Sequence, residues 1–375
     1  MPRGDRARIP RADRHVTYAV AVVPRIAEQQ LVLPSDVASD LEQAALSLGR
    51  LDAAAELDAS IVPLLRAESS ASSRIEQIEV RQRHVGRALE GIATKRSARE
   101  VAANVQALRT AVDIADRSDL HVAAIHAIHS TLMPDERWAG QVRDAQSWIG
   151  GSDHSPRDAR YVPPPPDHVV DLLEDLIAFM VRNDIPSLAQ AAVAHAQFEC
   201  IHPYVDGNGR TGRALIHVIL RRRGVVTRGI APLSLALVAD RQAYFDGLVR
   251  YQQGDLHAWL SQFARAAEHA ARAGRDLAQR LAALRGEWDR VDAIVGVRSD
   301  AVVRRILAGL SSHPVTDANR AAERYGVTPT AARAALNQLE DAGILRQVSV
   351  ARGARVWEAH EIFAILDDIE RDVGA

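Results

Sequence analysis

Twelve consecutive residues carry the densest chemistry in the chain: His202-Pro203-Tyr204-Val205-Asp206-Gly207-Asn208-Gly209-Arg210-Thr211-Gly212-Arg213. Gly207 and Gly209 flank Asn208, so the backbone can take angles that expose successive N–H groups. A helix begins here, and its unpaired N–H groups and dipole favour an anion. Arg210 and Arg213 are three apart, on one face of that helix's first turns, and both can fork onto phosphate oxygens. Asp206 stands beside this cationic nest, a hard oxygen ligand suited to Mg²⁺ bridging phosphates, an ion that needs few protein ligands. His202 opens the loop, placed to take a proton from an attacking hydroxyl. Base, metal ligand, anion nest and paired arginines together describe a phosphoryl- or nucleotidyl-transfer site.

Helices must position this loop, because helical periodicity recurs at 36–48, 51–65, 98–113, 120–132, 169–181, 188–198 and 213–223. Gly and Pro supply the breaks, among them Pro34, Pro63, Pro134, Gly150-Gly151, the run 163–166, Pro186, Pro203 and Pro232. Up to about residue 290 the pattern predicts an all-helical body. From 299 it changes. Short helices are expected at 302–310, 317–325 and 329–341, with Thr328 as N-cap, Pro329 at the first helical position and Gly343 as the stop. Strands at 344–350 and 355–358 around an Arg352-Gly353 turn then complete the layout of a winged helix-turn-helix. The expected fold class is mainly α with a C-terminal α+β module, divided as 1–114, 115–298 and 299–375. In the last part Arg333 and Asn337 are expected to be exposed on a recognition helix, with Arg352 and Arg355 on the wing. Glu340, Asp341, Asp367 and Asp368 offset those arginines, so DNA binding competes with a protein-docking or dimerisation role.

The motif resembles the signature of the Fic family, H-P-F-x-[DE]-G-N-G-R-x-x-R, with Tyr204 in place of the usual Phe. The resemblance spans about residues 15–255. It implies a mainly helical core that transfers AMP from ATP to a hydroxyl of a target protein. On that resemblance His202 is the general base for a Tyr, Thr or Ser hydroxyl, and Asp206 binds Mg²⁺. Gly207, Asn208 and Gly209 form the anion hole for the α- and β-phosphates, Arg210 contacts the triphosphate and Arg213 the γ-phosphate. Residues 140–143, 146–151 and 161–164 are similar to the family's hairpin-like flap, which holds an extended target segment by strand addition, with 152–160 as a mobile tip. Ser72-Ser73-Arg74-Ile75-Glu76-Gln77 is similar to the family's inhibitory helix, [ST]-x-x-x-E-[GN], with Gln77 departing from the pattern. Ser72 marks the motif's start, and Glu76 bonds Arg213 where the γ-phosphate must sit. Family members pair this helix in cis, so a homodimer can regulate access. Two other classes compete: a DNA-binding regulator with a nucleotide-sensing or vestigial core, and a Fic enzyme that phosphorylates, transfers phosphocholine or removes AMP.

Composition narrows the field. The 375 residues suggest two or three domains, and 46 Lys+Arg against 48 Asp+Glu give a net charge of −2, so no global field draws the chain to nucleic acid or membrane. With 47% hydrophobic but 4% aromatic residues, the core must be mostly Ala, Leu, Val and Ile. Lys95 is the only lysine and lacks the G-x-x-x-x-G-K frame, which excludes a P-loop. Cys200 stands alone, so there is no disulfide framework or cysteine zinc site, and its apolar context predicts an inert thiol. His121, His126, His129, His195 and His217 read as packing or surface histidines, and Arg221–Arg223 as a solvated helix end. No signal h-region or membrane-length apolar run is present, so a cytoplasmic setting is expected.

Overall fold

The computed structural model describes residues 10–92, 95–117, 119–350 and 355–372. The order is α1 (Ser35–Asp52), α2 (Ile61–Ile75), α3 (Gln82–Leu89), α4 (Arg96–Ala115), α5 (Val122–Leu132), α6 (Pro166–Met180), α7 (Ser187–Ile201), α8 (Asn208–Arg222), α9 (Leu233–Ala239), α10 (Arg241–Gln252) and α11 (Leu256–Asp289). Then follow α12 (Val302–Gly309), β1 (Val315–Thr316), α13 (Ala318–Tyr325), α14 (Pro329–Asp341), β2 (Arg346–Ser349), β3 (Arg355–Glu358) and α15 (His360–Asp372). The mainly α class and the small C-terminal sheet agree with the sequence pattern. No helix among the described residues is long and apolar enough to cross a membrane.

α7 is buried nearly all round, from Leu188 to Ile201, as its Ala-rich sequence without a polar face requires. It forms the axis of the core, packed against α6 and α8, and α8 in turn lies on α4 and α5. Gly212 permits the close α7–α8 approach: a Cβ there would stand 2.9 Å from Phe198 Cδ1 and 2.6 Å from Glu199 Oε1. The expected 51–65 helix is divided. A 3-10 turn, Ala55–Ser60, precedes α2, and Pro63 sits in α2's first turn, where its missing N–H costs nothing. α2 then runs through the 72–75 stretch, its flank fixed by buried Glu68, which accepts from Ser234 N (2.7 Å) and pairs with His217 Nε2 (3.0 Å). The 34-residue α11, which the pattern does not single out, braces α1 and α9.

The C-terminal part shows the expected three helices and two strands, together with β1 and α15, which sequence reading missed. The sheet order is β1-β3-β2, all antiparallel. Asp317 caps α13 instead of beginning it, and Thr328 Oγ1 accepts from Ala331 N (3.2 Å) at the start of α14. Strand β2 is shorter than the expected 344–350 because Ile344 and Leu345 bury themselves directly after α14. The Arg352-Gly353 turn lies outside the described residues. α15 docks this part onto α2 and α3: Arg74 donates to the Glu370 carbonyl (3.1 Å), Gln82 N to Asp367 Oδ1 (3.1 Å), and the Arg66 guanidinium lies 5.3 Å over the Phe363 ring.

Candidate active site

Helix α7 ends at His202, whose φ of 48° and ψ of 60° put it in the left-handed region. This turn swings the chain into the loop before α8, which starts after Gly207 at φ 77°. A left-handed histidine is tolerated but costly, on the order of 1 kcal/mol, so the surroundings must hold it. Buried Arg143 does so: its Nε donates to the His202 carbonyl (2.9 Å), its Nη1 to Ala145 O (3.2 Å) and its Nη2 to Pro164 O. Arg143 N also donates to Pro203 O (2.9 Å), so one residue ties both ends of the flap-like segment to the motif.

The loop is braced from within and below. Asn208 Oδ1 accepts from Tyr204 N and Asn208 Nδ2 donates to Tyr204 O, both 2.9 Å. The Asn208 side chain is therefore spent on shaping the loop, and what it leaves for an anion is backbone. Tyr204 is fully buried; its hydroxyl meets His126 Nδ1 (2.8 Å) and its ring stacks on His129 at 3.7 Å between centroids. The aromatic swap from Phe thus adds one hydrogen bond. His129 Nδ1 accepts from Gly140 N (2.8 Å), which leaves the proton on Nε2 to donate to the Asp206 carbonyl (3.0 Å). Burial pushes His129 down to about 4, so it stays neutral in this role. His126 and His129 pack, as expected, but they also position the motif, and their three-residue spacing on one face of α5 was the only signal.

His202 is half-buried, and among the described residues its buried Nδ1 has no hydrogen-bond partner. Burial, then the Arg143 charge, push its pKa down to about 4, against the opposing pull of Glu76. At neutral pH it is an unprotonated base. Asp206 is exposed, its Oδ1 accepts from Gly207 N (2.6 Å), and it lies 4.0 Å from Arg210 Nη2. Asp206 and Arg210 line one wall of an open cleft of about 290 Å³, with Met133 and Glu136 among the residues opposite. Arg210 is buried, with Nη2 against Met133 Sδ (3.8 Å) and Nε unpaired among the described residues. A buried guanidinium N–H without a partner is costly, and an anion drawn into the cleft beside Arg210 would offset that charge.

Arg213, 1% exposed, is fully engaged. Nε donates to Ser72 Oγ (2.9 Å), Nη2 to Ser72 O and Glu76 Oε1 (both 2.8 Å), and Nη1 reaches Tyr244 OH (3.5 Å). Burial works to lower the Arg213 pKa, but the oxygens of Tyr244, Glu76 and Glu199 outweigh it and hold the residue above its ordinary value. The Glu76 carboxylate also covers Gly209: any Cβ there would collide with Glu76 Oε1. Glu76 ends α2, and Gln77 follows at φ 65°. Ile78 N bonds Ser73 O (3.0 Å) and Gln77 N bonds Arg74 O (2.9 Å), a Schellman closure whose left-handed position favours Gly. Gln77→Gly should therefore raise stability to unfolding by up to about 1 kcal/mol, measurable by urea titration; a loss of stability would contradict this account of the turn.

Not every expectation survives intact. The hairpin-like flap is reduced to one antiparallel bridge, Ile149 to Tyr161. Its 152–160 tip meets the N-terminal segment, with Ser155 Oγ (2.7 Å) and Arg157 Nε (2.9 Å) both donating to Asp13 Oδ1. Cys200 is buried as expected, and burial pushes its thiol up to about 12. Glu199, not singled out by sequence, is pushed up to about 8 by burial, against the opposing pull of the Arg213 charge. Among the described residues no cluster of three His, Cys, Asp or Glu could hold a metal. Mg²⁺ still fits, since it is commonly held by one carboxylate, phosphate oxygens and water, and Asp206 presents such an oxygen at the mouth of the cleft.

Residues 119–220 match the Fic/DOC family model, and 38–113 match that of the Fic/DOC family N-terminal region. The chain is 30% identical over 135 residues to the Caenorhabditis elegans protein adenylyltransferase fic-1, covering 35% of this chain and 23% of that protein. It is 34% identical over 98 residues to the probable protein adenylyltransferase aq_aa38 of Aquifex aeolicus, covering 26% and 28%. The match thus spans about a quarter of the length of these curated relatives. Among solved structures, a Fic family protein from Desulfovibrio desulfuricans G20 superposes with a TM-score of 0.57 at 20% identity, covering 88% of this chain and 97% of that one. A Fic-1 fragment from C. elegans gives 0.51 at 19% identity, covering 65% and 73%. With the motif loop and its flanking helices in place, residues 38–113 and 119–220 of the chain carry the N-terminal and catalytic regions of the Fic/DOC family.

Proposed function

We propose that this protein is an ATP- and Mg²⁺-dependent protein adenylyltransferase restrained by its own Glu76. The observation that carries the reading is the contact of Glu76 with Arg213 above Gly209, where a carboxylate occupies an anion site next to an unprotonated His202. An anion already sits where a terminal phosphate would be bound. When Glu76 withdraws, Arg213, Arg210 and the N–H groups from Gly207 to Gly209 are free to cradle the triphosphate. Asp206 is the residue to hold Mg²⁺, which when bound neutralises phosphate charge. A hydroxyl oxygen of the target attacks the α-phosphorus while His202 Nε2 takes its proton; the α–β bridging bond breaks and pyrophosphate leaves. The acceptor is a Tyr, Thr or Ser hydroxyl, on a partner protein or on the chain itself.

The product separates this reading from related chemistries. Mass spectrometry of protein treated with ATP by the Glu76→Gly chain should show an AMP adduct; an adduct of phosphate alone would replace adenylyl transfer with phosphorylation. The acid side of the rate profile gives a second check. Because His202 is held at about 4, the base is fully available above that value and is lost only as pH falls through it. kcat/KM of the Glu76→Gly chain should therefore stay level between about pH 5.5 and 7. An acid limb centred near the ordinary histidine value of about 6.5 would contradict the buried, Arg143-facing environment of His202.

A further inference from the structure

A second polar groove, of about 520 Å³, lies on the C-terminal module, away from the motif loop. Its lining brings together Asn319 from the start of α13, Arg333 and Asn337 from α14, and Gln347 and Arg355 from the strands. Among the described residues none of these five side chains makes a hydrogen bond or ion pair within the protein. Asn319, Arg333, Asn337 and Arg355 are exposed. Thr330, Arg333, Ala334 and Asn337 form one stripe at helical spacing along α14, and small Ala334 leaves room for close approach.

Several of the acidic residues that weigh against a polyanion are engaged within the protein, Asp368 among them with Arg371. Glu340 turns inward to Trp357 Nε1 (2.9 Å) and Gln347 N (3.2 Å). Asp317, which also lines the groove, caps α13 and pairs with Arg320. Asp367 is bonded to Gln82 on the face that docks onto α3. Asp341 is exposed at the end of α14, one turn beyond Asn337 on the same face but outside the groove lining. What remains at the groove is a donor-rich surface carrying two uncompensated guanidinium groups.

We propose that this groove binds duplex DNA, with the exposed face of α14 that carries Arg333 and Asn337 in the major groove. Two packed helices joined through Gly326, at φ 63°, with the second presenting a forked arginine and an amide four residues apart, supply the order of elements and the residue types with which a helix reads base edges. Arg333 suits the O6 and N7 acceptors of guanine, and Asn337 the N6 and N7 pair of adenine. Arg355, on the neighbouring strand, is placed for backbone phosphate. The near-zero net charge of the whole chain does not oppose this, because affinity depends on the charges that meet the phosphates.

The test uses the full chain, since α15 holds the module against α2 and α3. Selection from a pool of random-sequence duplexes should enrich a discrete motif. Against the enriched duplex, Arg333→Ala should weaken binding by about 10- to 100-fold, and Asn337→Ala should relax the preference at one base pair. Arg355→Ala should weaken all duplexes alike and flatten the salt dependence. Both α14 positions are exposed, so thermal melting of the variants should match the parent. The proposal is overturned if no duplex sequence is enriched, as when the groove docks a protein instead. It is also overturned if Arg333→Ala binds the enriched duplex as the parent does, or if single strands or RNA of the same sequence bind as tightly.

Discussion

Replacing Glu76 with glycine should raise MgATP affinity by about 10- to 100-fold and raise label transfer with it. The magnitude follows from the bond being removed. Glu76 Oε1 lies 2.8 Å from Arg213 Nη2, and a hydrogen bond between charged groups is worth roughly 1.5–3 kcal/mol. A nucleotide that needs Arg213 must break that bond before forming its own, so its apparent affinity is reduced by the same factor. Ser72 continues to hold the guanidinium through its Oγ and carbonyl, so the arginine stays in place when Glu76 is gone. Calorimetric titration with MgATP checks this directly. Equal affinities for the two chains would mean that Glu76 does not guard the site.

The second large effect falls on the chemical step. In the Glu76→Gly background, His202→Ala should lower transfer at least about 10²-fold while leaving MgATP affinity nearly unchanged. The split follows from the proposed roles, which assign the nucleotide to the α8 N-terminus and its arginines and the acceptor hydroxyl to His202, before the loop. The left-handed backbone at position 202 costs alanine no less than histidine, so a folding defect can be separated by comparing melting temperatures. A parallel loss of ATP binding and transfer would instead make His202 part of the nucleotide site.

Much of the site was legible because its parts are local. The motif packs a helix end, two flexible glycines and two arginines of one helical face into a single stretch, and the structure folds that stretch between α7 and α8 as its spacing requires. The Glu76–Arg213 contact, 137 positions apart, was accessible only through family resemblance, since nothing local in a helix-end glutamate names a distant arginine. Arg143 illustrates what sequence alone cannot reach. Its partners are backbone carbonyls at 145, 164 and 202, and a carbonyl ligand leaves no trace in residue type. The same applies to Asn208, whose amide could serve an anion or a loop until the Tyr204 backbone is placed beside it. α15 was missed for another reason: its buried face answers to Gln82, Gly86 and Arg66, so its amphipathic pattern makes sense only after α3 is in position.

The central claim is that one carboxylate silences a working nucleotidyl-transfer site. Its most direct test is incubation of the wild-type, Glu76→Gly and Glu76→Gly/His202→Ala chains with Mg²⁺ and ATP labelled on either the α- or the γ-phosphate, in a cell extract and alone. The account predicts strong protein labelling from α-labelled ATP by the Glu76→Gly chain only, little by wild type, none by the double variant, and none from γ-labelled ATP. No α-label on any protein with the Glu76→Gly chain, or label arriving from the γ-phosphate instead, would contradict it.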